Sequence, residues 1–182
     1  MTDVNIFAPN ATTIEDIFIN CTNLTNVYAE FNNAQNAANL FYGRHNLQSA
    51  NINVDKADNI SNMFASCTNL SAINLSSSNA TNAYQLFHRC NSLTIAPNLS
   101  NSIKDLAGAF GRCMNLQTVP TIPNSIENLN SAFYECIALV DVPSIINIRS
   151  GLTGTFIDCH ALVNQPHFPN ADSFYETFKN IR

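Results

Sequence analysis

Apolar and polar positions along this chain recur with a period of 23 residues. Phe18, Phe41, Phe64, Phe87, Phe110, Phe133 and Phe156 lie 23 apart, and Phe178 follows after 22. Three residues past each Phe is a second column, Cys21, Cys67, Cys90, Cys113, Cys136 and Cys159, broken once by Arg44. A further three residues on, Leu24, Leu47, Leu70, Leu93, Leu116, Leu139 and Leu162 complete an unbroken third column. Agreement of three columns on one phase marks an internal repeat.

Each unit predicts two elements. In the stretch from Ile103 to Cys113, the apolar residues Ile103, Leu106, Ala109, Phe110 and Cys113 recur at steps of three and four, the spacing of one face of a short helix. The second half, such as Leu70-x-x-Ile73-x-Leu75 or Leu116-x-x-Val119, has the length and alternation of a short strand. Pro97, Pro120, Pro143 and Pro166 follow that half in the later units, and strands should end at or before them because proline lacks the ladder N–H. One unit has too little apolar surface to fold alone, so neighbours must stack to bury it. The expected fold is an α/β repeat solenoid: about eight units in one array over residues 1–182, with half-units at both ends. The segment Met1–Phe7 matches a strand half and Thr177–Arg182 stops within a helical half. No polar cap is recognisable at either end, which leaves three readings open: a piece of a longer protein, ends that pack on another chain or on a second copy, or edges that are tolerated.

The unit written [I/L/A]-x-x-[A/M/L]-F-x-x-C-x-N-L-x-x-[V/I/A] resembles the leucine-rich repeats, and among them the BspA-like class of bacterial and protozoan surface proteins with its AFxxCxxLxxI/V signature. The resemblance covers nearly the whole chain. It implies a curved horseshoe with short parallel strands on the concave face, short helices on the convex face, and recognition as the task. Departures are Arg44 at a Cys slot, Ala37 and Ala83 at helix core slots, and Gln165 at a strand apolar slot.

Composition narrows the function. With 46% hydrophobic and 12% charged residues the chain has material for a packed core, and its 29 asparagines set it apart from ordinary usage. Eight Lys+Arg against 13 Asp+Glu give a net charge of −5 with no basic run, so nucleic acid and anionic membrane surfaces are poor partners. No stretch has the length of a membrane span, so membrane insertion is not expected. The N-terminus lacks the layout of a signal peptide, although the resemblance favours a cell-surface, extracellular or virion-associated location.

Chemical constellations are sparse. The thiols fall one per unit, unlike clustered zinc ligands, and a file of parallel side chains does not suit disulfide geometry. They are expected to be buried free thiols, with no metal and no cofactor implied. His160 adjoins Cys159 and His88 lies two before Cys90, but neither pair has an orienting third group. No phosphate loop, dinucleotide fingerprint or carboxylate pair is present, so the chain is expected not to be an enzyme.

Function is then expected on the surface. If the strand Leu and Val point inward, the intervening residues face the concave side. One row there runs Asn26, Ser49, Ala72, Ile95, Thr118, Asp141, Asn164; the next runs Tyr28, Asn51, Asn74, Pro97, Pro120, Pro143, Pro166. Glu30 and Asn53 flank the first half, and Ile122, Ile145 and Phe168 the second, either presented beside the prolines or folded under as core. Asn26, Tyr28, Ser49, Asn51, Asn74, Thr118, Asp141 and Asn164 are the candidate binding residues, for a protein or glycan ligand. The alternative role is a building block of an appendage or phage particle that stacks through its ends.

Overall fold

The structure is a computed structural model that describes residues 2–119, 121–145 and 147–181; Met1, Pro120, Ile146 and Arg182 lie outside the described residues. The chain winds as a parallel-strand solenoid. Strands β1 (Asp3–Phe7), β2 (Asn26–Glu30), β3 (Ser49–Asn53) and β4 (Ala72–Ser76) form a four-stranded sheet in sequence order. Every pair is parallel and offset by 23 residues, from Asp3 opposite Asn26 through Ser49 opposite Ala72.

Beyond β4 the sheet thins to single bridges, Ile95 to Thr118, Thr118 to Asp141 and Asp141 to Asn164. Pro97, Pro143 and Pro166 account for this, since each sits two residues past its bridge and cannot donate to a neighbour. Pro97 and Pro143 are half-buried and Pro166 is buried.

The helical half is corrected by the structure: among the described residues no segment is helical, and the wall opposite the sheet is a succession of tight turns. The amide N–H groups of Ala109, Gly111 and Cys113 reach back three residues to the carbonyls of Leu106, Gly108 and Phe110. Those of Leu106, Gly108, Phe110 and Arg112 instead donate to Asn128, Asn130, Ala132 and Tyr134 of the next unit. A helix would spend these donors on its own carbonyls. Two residues per unit interrupt the right-handed path, two before and two after the Phe. They include Asn39, Asn62 and Gln85 in the first column and Arg89, Arg112 and Glu135 in the second, all with φ between 52° and 63°. Steps of three and four in the apolar residues therefore come from three-residue turns.

This turn wall has a polarity that a parallel β-ladder lacks. The peptide groups 105/106, 107/108, 109/110 and 111/112 each accept through C=O from the preceding unit and donate through N–H to the following one. Their dipoles all point the same way along the array and add, as they do in a helix.

A third wall is made by an asparagine column invisible to composition alone. Asn36, Asn59, Asn82, Asp105 and Asn128 bridge one another in sequence, and each side-chain Oδ1 accepts the N–H two residues on at 2.8–3.1 Å. These repeated Asx turns steer the chain into the turn wall.

The core is a file of aromatic rings. From Phe41 to Phe156 the consecutive rings stack at 5.3–5.5 Å with interplanar angles of 1–19°, and Phe178 continues the file on Phe156 at 5.4 Å. Offset stacking of this kind adds to the burial of the rings. The Leu column is buried throughout, and Ala37 and Ala83 are buried at their slots without disturbing the winding. Gln165 is exposed, while Ile145 and Phe168 are buried and Ile122 packs partly buried against the core, so the apolar residues beside the prolines fold under.

Candidate functional site

Strand alternation sorts the sheet into two faces. In β2, Val27 and Ala29 are buried while Asn26 and Tyr28 are exposed; in β3, Ala50 and Ile52 are buried and Asn51 is exposed. The candidate residues Asn26, Tyr28, Asn51, Asn74, Thr118, Asp141 and Asn164 are all exposed, and Ser49 is half-buried. The structure gathers the first five strand positions and leaves the last three apart. Asn26, Tyr28, Ser49, Asn51 and Asn74 share β2–β4, whereas Thr118, Asp141 and Asn164 follow Ile95 in the separate file of single bridges.

Hydrogen bonds between strands hold the first group in place. Asn26 Nδ2 donates to Asp3 Oδ1 at 2.7 Å, and Ser49 Oγ donates to Asn26 Oδ1 at 2.7 Å. Asn74 Nδ2 donates to Asn51 Oδ1 at 3.1 Å. Among the described residues, the Asn51 amide N–H groups and the Asn74 Oδ1 have no partner. The Tyr28 hydroxyl donates to Glu30 Oε1, a bond that raises the Tyr28 pKa above that of an ordinary phenol. Side chains fixed this way lose little entropy on binding.

Two members of the face were not among the sequence candidates. Phe7, opposite Glu30 in register, is 74% exposed, and Asn5, opposite Tyr28, is exposed beside it. With Ile6 and Tyr28 they line a cleft of about 410 Å³. The 23-residue register that placed Tyr28 in its row also places Asn5 there, and Phe7 in the row of Glu30 and Asn53, so the signal was available.

The thiols lie away from this face. Cys67, Cys90, Cys113, Cys136 and Cys159 are buried and unpaired, and each Sγ donates to the carbonyl of a Phe 26 residues earlier at 3.0–3.1 Å. Burial pushes the Cys67, Cys113 and Cys159 thiols up to about 12, so they stay protonated and weakly nucleophilic at neutral pH. Arg44, at the vacant slot, turns its Nε to the Tyr42 carbonyl at 3.1 Å. Among the described residues no group of three or more His, Cys, Asp or Glu is placed to hold a metal ion. Nor is any helix there long and apolar enough to cross a membrane.

The model of the BspA type leucine rich repeat region matches six copies, over residues 1–108 and 96–179. The chain belongs to this family. Solved structures share the fold. A leucine-rich repeat protein from Bacteroides ovatus superposes with a TM-score of 0.69 at 20% identity, covering 93% of this chain and 46% of that one. The T. pallidum leucine rich repeat protein gives 0.64 at 23% identity, covering 90% of this chain and 72% of that one. A leucine rich cell surface protein from Faecalibacterium prausnitzii gives 0.57 at 21% identity, covering 90% of this chain and 42% of that one. The chain thus spans under half the length of two of these three proteins. No curated protein matches it.

Proposed function

We propose that this chain is a non-enzymatic recognition module that holds a protein or cell-surface glycan against the exposed face of its sheet. Its place is the surface of a bacterium or phage, in adhesion or host recognition, with residues 1–182 working as one array. The observation that carries the reading is the ordered ladder on β2–β4. Asn26, Ser49, Asn51 and Asn74 are tied to neighbours across strands, while the Asn51 amide N–H groups and the Asn74 Oδ1 stay unspent on the exposed face. A rigid polar face beside an exposed Tyr28 is the anatomy of a wet interface, in which aromatic anchors and adaptable amides share the work. Family membership and the cell-surface description of the F. prausnitzii relative support the setting.

Affinity capture from source-cell surface and lysate tests this, with a Tyr28→Ala, Asn51→Ala, Asn74→Ala variant as the control bait. A discrete partner lost in the variant is the expected result. Equal capture by both baits would reject the face, and capture of only the bait itself by both would favour a stacking building block.

A further inference from the structure

The cleft at the β1–β2 end of the sheet has the chemistry of a sugar subsite, and we propose that it seats one neutral pyranose of a glycan. The inference rests on the recognition reading and names its ligand. Asn5 and Phe7 on β1 stand opposite Tyr28 and Glu30 on β2, a block of two by two residues on the exposed face. Phe7 and Tyr28 occupy one diagonal of that block on adjacent parallel strands. Both rings are open to solvent, and they bound the cleft of about 410 Å³ together with Asn5 and Ile6, a volume at the lower end of small-molecule sites.

Three properties select the ligand. The π-faces of Phe7 and Tyr28 carry negative quadrupole charge and match the weakly positive C–H surface of a pyranose ring. The Asn5 amide has no partner among the described residues, and Glu30 spends only Oε1 on Tyr28, leaving Oε2 to accept a sugar hydroxyl. Charge sets the third: Asp3 and Glu30 lie on this face, and no Lys or Arg lines the cleft or the neighbouring depressions that run across β1–β4. Anionic sugars are therefore disfavoured and neutral ones accepted. The Asn51–Asn74 ladder continues from Tyr28 across the sheet, so further residues of an oligosaccharide would extend in that direction.

Saturation-transfer NMR on the full chain tests this, using methyl glycosides of glucose, galactose, mannose and N-acetylglucosamine, with methyl glucuronide as the anionic arm. The expected result is transfer from aromatic protons to the ring C–H protons of at least one neutral glycoside. Affinity should fall by about tenfold in Phe7→Ala and in Tyr28→Ala, return in Phe7→Tyr, and be unchanged in Gln165→Ala, an exposed position far along the array from the cleft. No transfer to any neutral glycoside, an unchanged affinity in both aromatic variants, or preference for the glucuronide would overturn it. If sugars fail while a captured protein partner depends on Asn51 and Asn74, the sugar subsite falls and the recognition face stands.

Discussion

The Cys113 thiol donates to the carbonyl of Phe87, 26 residues earlier, at 3.0 Å. That same carbonyl accepts the backbone N–H of Cys90 at 3.0 Å. Each Phe carbonyl from Phe41 to Phe133 is satisfied twice in this way, once within its own unit and once from the next. The thiol column therefore ties units together along the core as well as filling space, in a setting where an unpaired buried acceptor is costly.

This arrangement predicts an alkaline limit to stability. Burial raises the folded-state pKa of Cys67, Cys113 and Cys159 from 9.0 to about 12. The neutral thiol is thus favoured by folding, and its contribution is complete below pH 9 and lost as pH rises toward 12. Urea midpoints should fall across that window, and less steeply in Cys113→Ala. Thiol labelling at pH 8 should reach the half-buried Cys21 first and the other five only on unfolding. Rapid native labelling of Cys113 would contradict the burial on which both expectations depend.

Phe110→Ala should cost about 3–5 kcal/mol, because the ring is fully enclosed and stacks on Phe87 at 5.5 Å and Phe133 at 5.5 Å. Phe178→Ala should cost less, since that ring is half-buried and stacks face to face only on Phe156. Chemical denaturation of the two variants measures the difference, and equal losses would be inconsistent with nearest-neighbour stacking.

The repeat, its phase and the two faces of the sheet were legible in the sequence because Phe, Cys and Leu each mark a position that every unit must bury. The turn wall was not. Apolar steps of three and four fit a helix and a run of three-residue turns equally well, and only the backbone distinguishes them. Asn20, Asn39 and Asn62 hinted at left-handed positions, but Gln85, Arg89, Arg112 and Glu135 fill the same columns and have no such preference, so the signal was diluted. The Asx column at Asn36, Asn59, Asn82, Asp105 and Asn128 was hidden for a different reason: asparagine is so frequent here that its periodic members did not stand out. Phe7 did not stand out because, within β1–β4, it is the one aromatic in a column otherwise held by Glu30, Asn53 and Ser76.

Gly151 closes the Asx column in the slot that follows Asn128, and the site demands glycine twice over. Its φ is +73°, and an added Cβ would lie 2.8 Å from the Glu127 carbonyl and 2.9 Å from the Asn128 Cα. Gly151→Ala should therefore destabilise by more than the 1–2 kcal/mol or so of left-handed strain alone, since backbone would have to shift. Gly43, at φ +70° with nothing within 4 Å, should accept asparagine with little loss. Thermal unfolding of Gly151→Ala and Gly43→Asn measures the contrast.

His88 should set the acid limb of the stability profile. Burial lowers its pKa first, and the neighbouring Arg89 and Arg112 lower it further, while a hydrogen bond to the Gly108 backbone and the charge of Glu135 oppose them. Its Nδ1 is buried, so protonation would place a positive charge out of water beside Arg89 and Arg112. Arg112 is itself engaged, with Nε 3.2 Å from Glu135 Oε2 and its guanidinium 5.5 Å from the Tyr134 ring centre. A folded-state pKa below 6.5 means that the stabilisation from neutral His88 is complete above pH 6.5 and lost as pH falls through the depressed value. His88→Gln removes the titration, so its stability should decline less than that of the parent chain between pH 6.5 and the onset of carboxylate protonation. If the two denaturation profiles run parallel over that interval, His88 does not titrate differently in the folded and unfolded states.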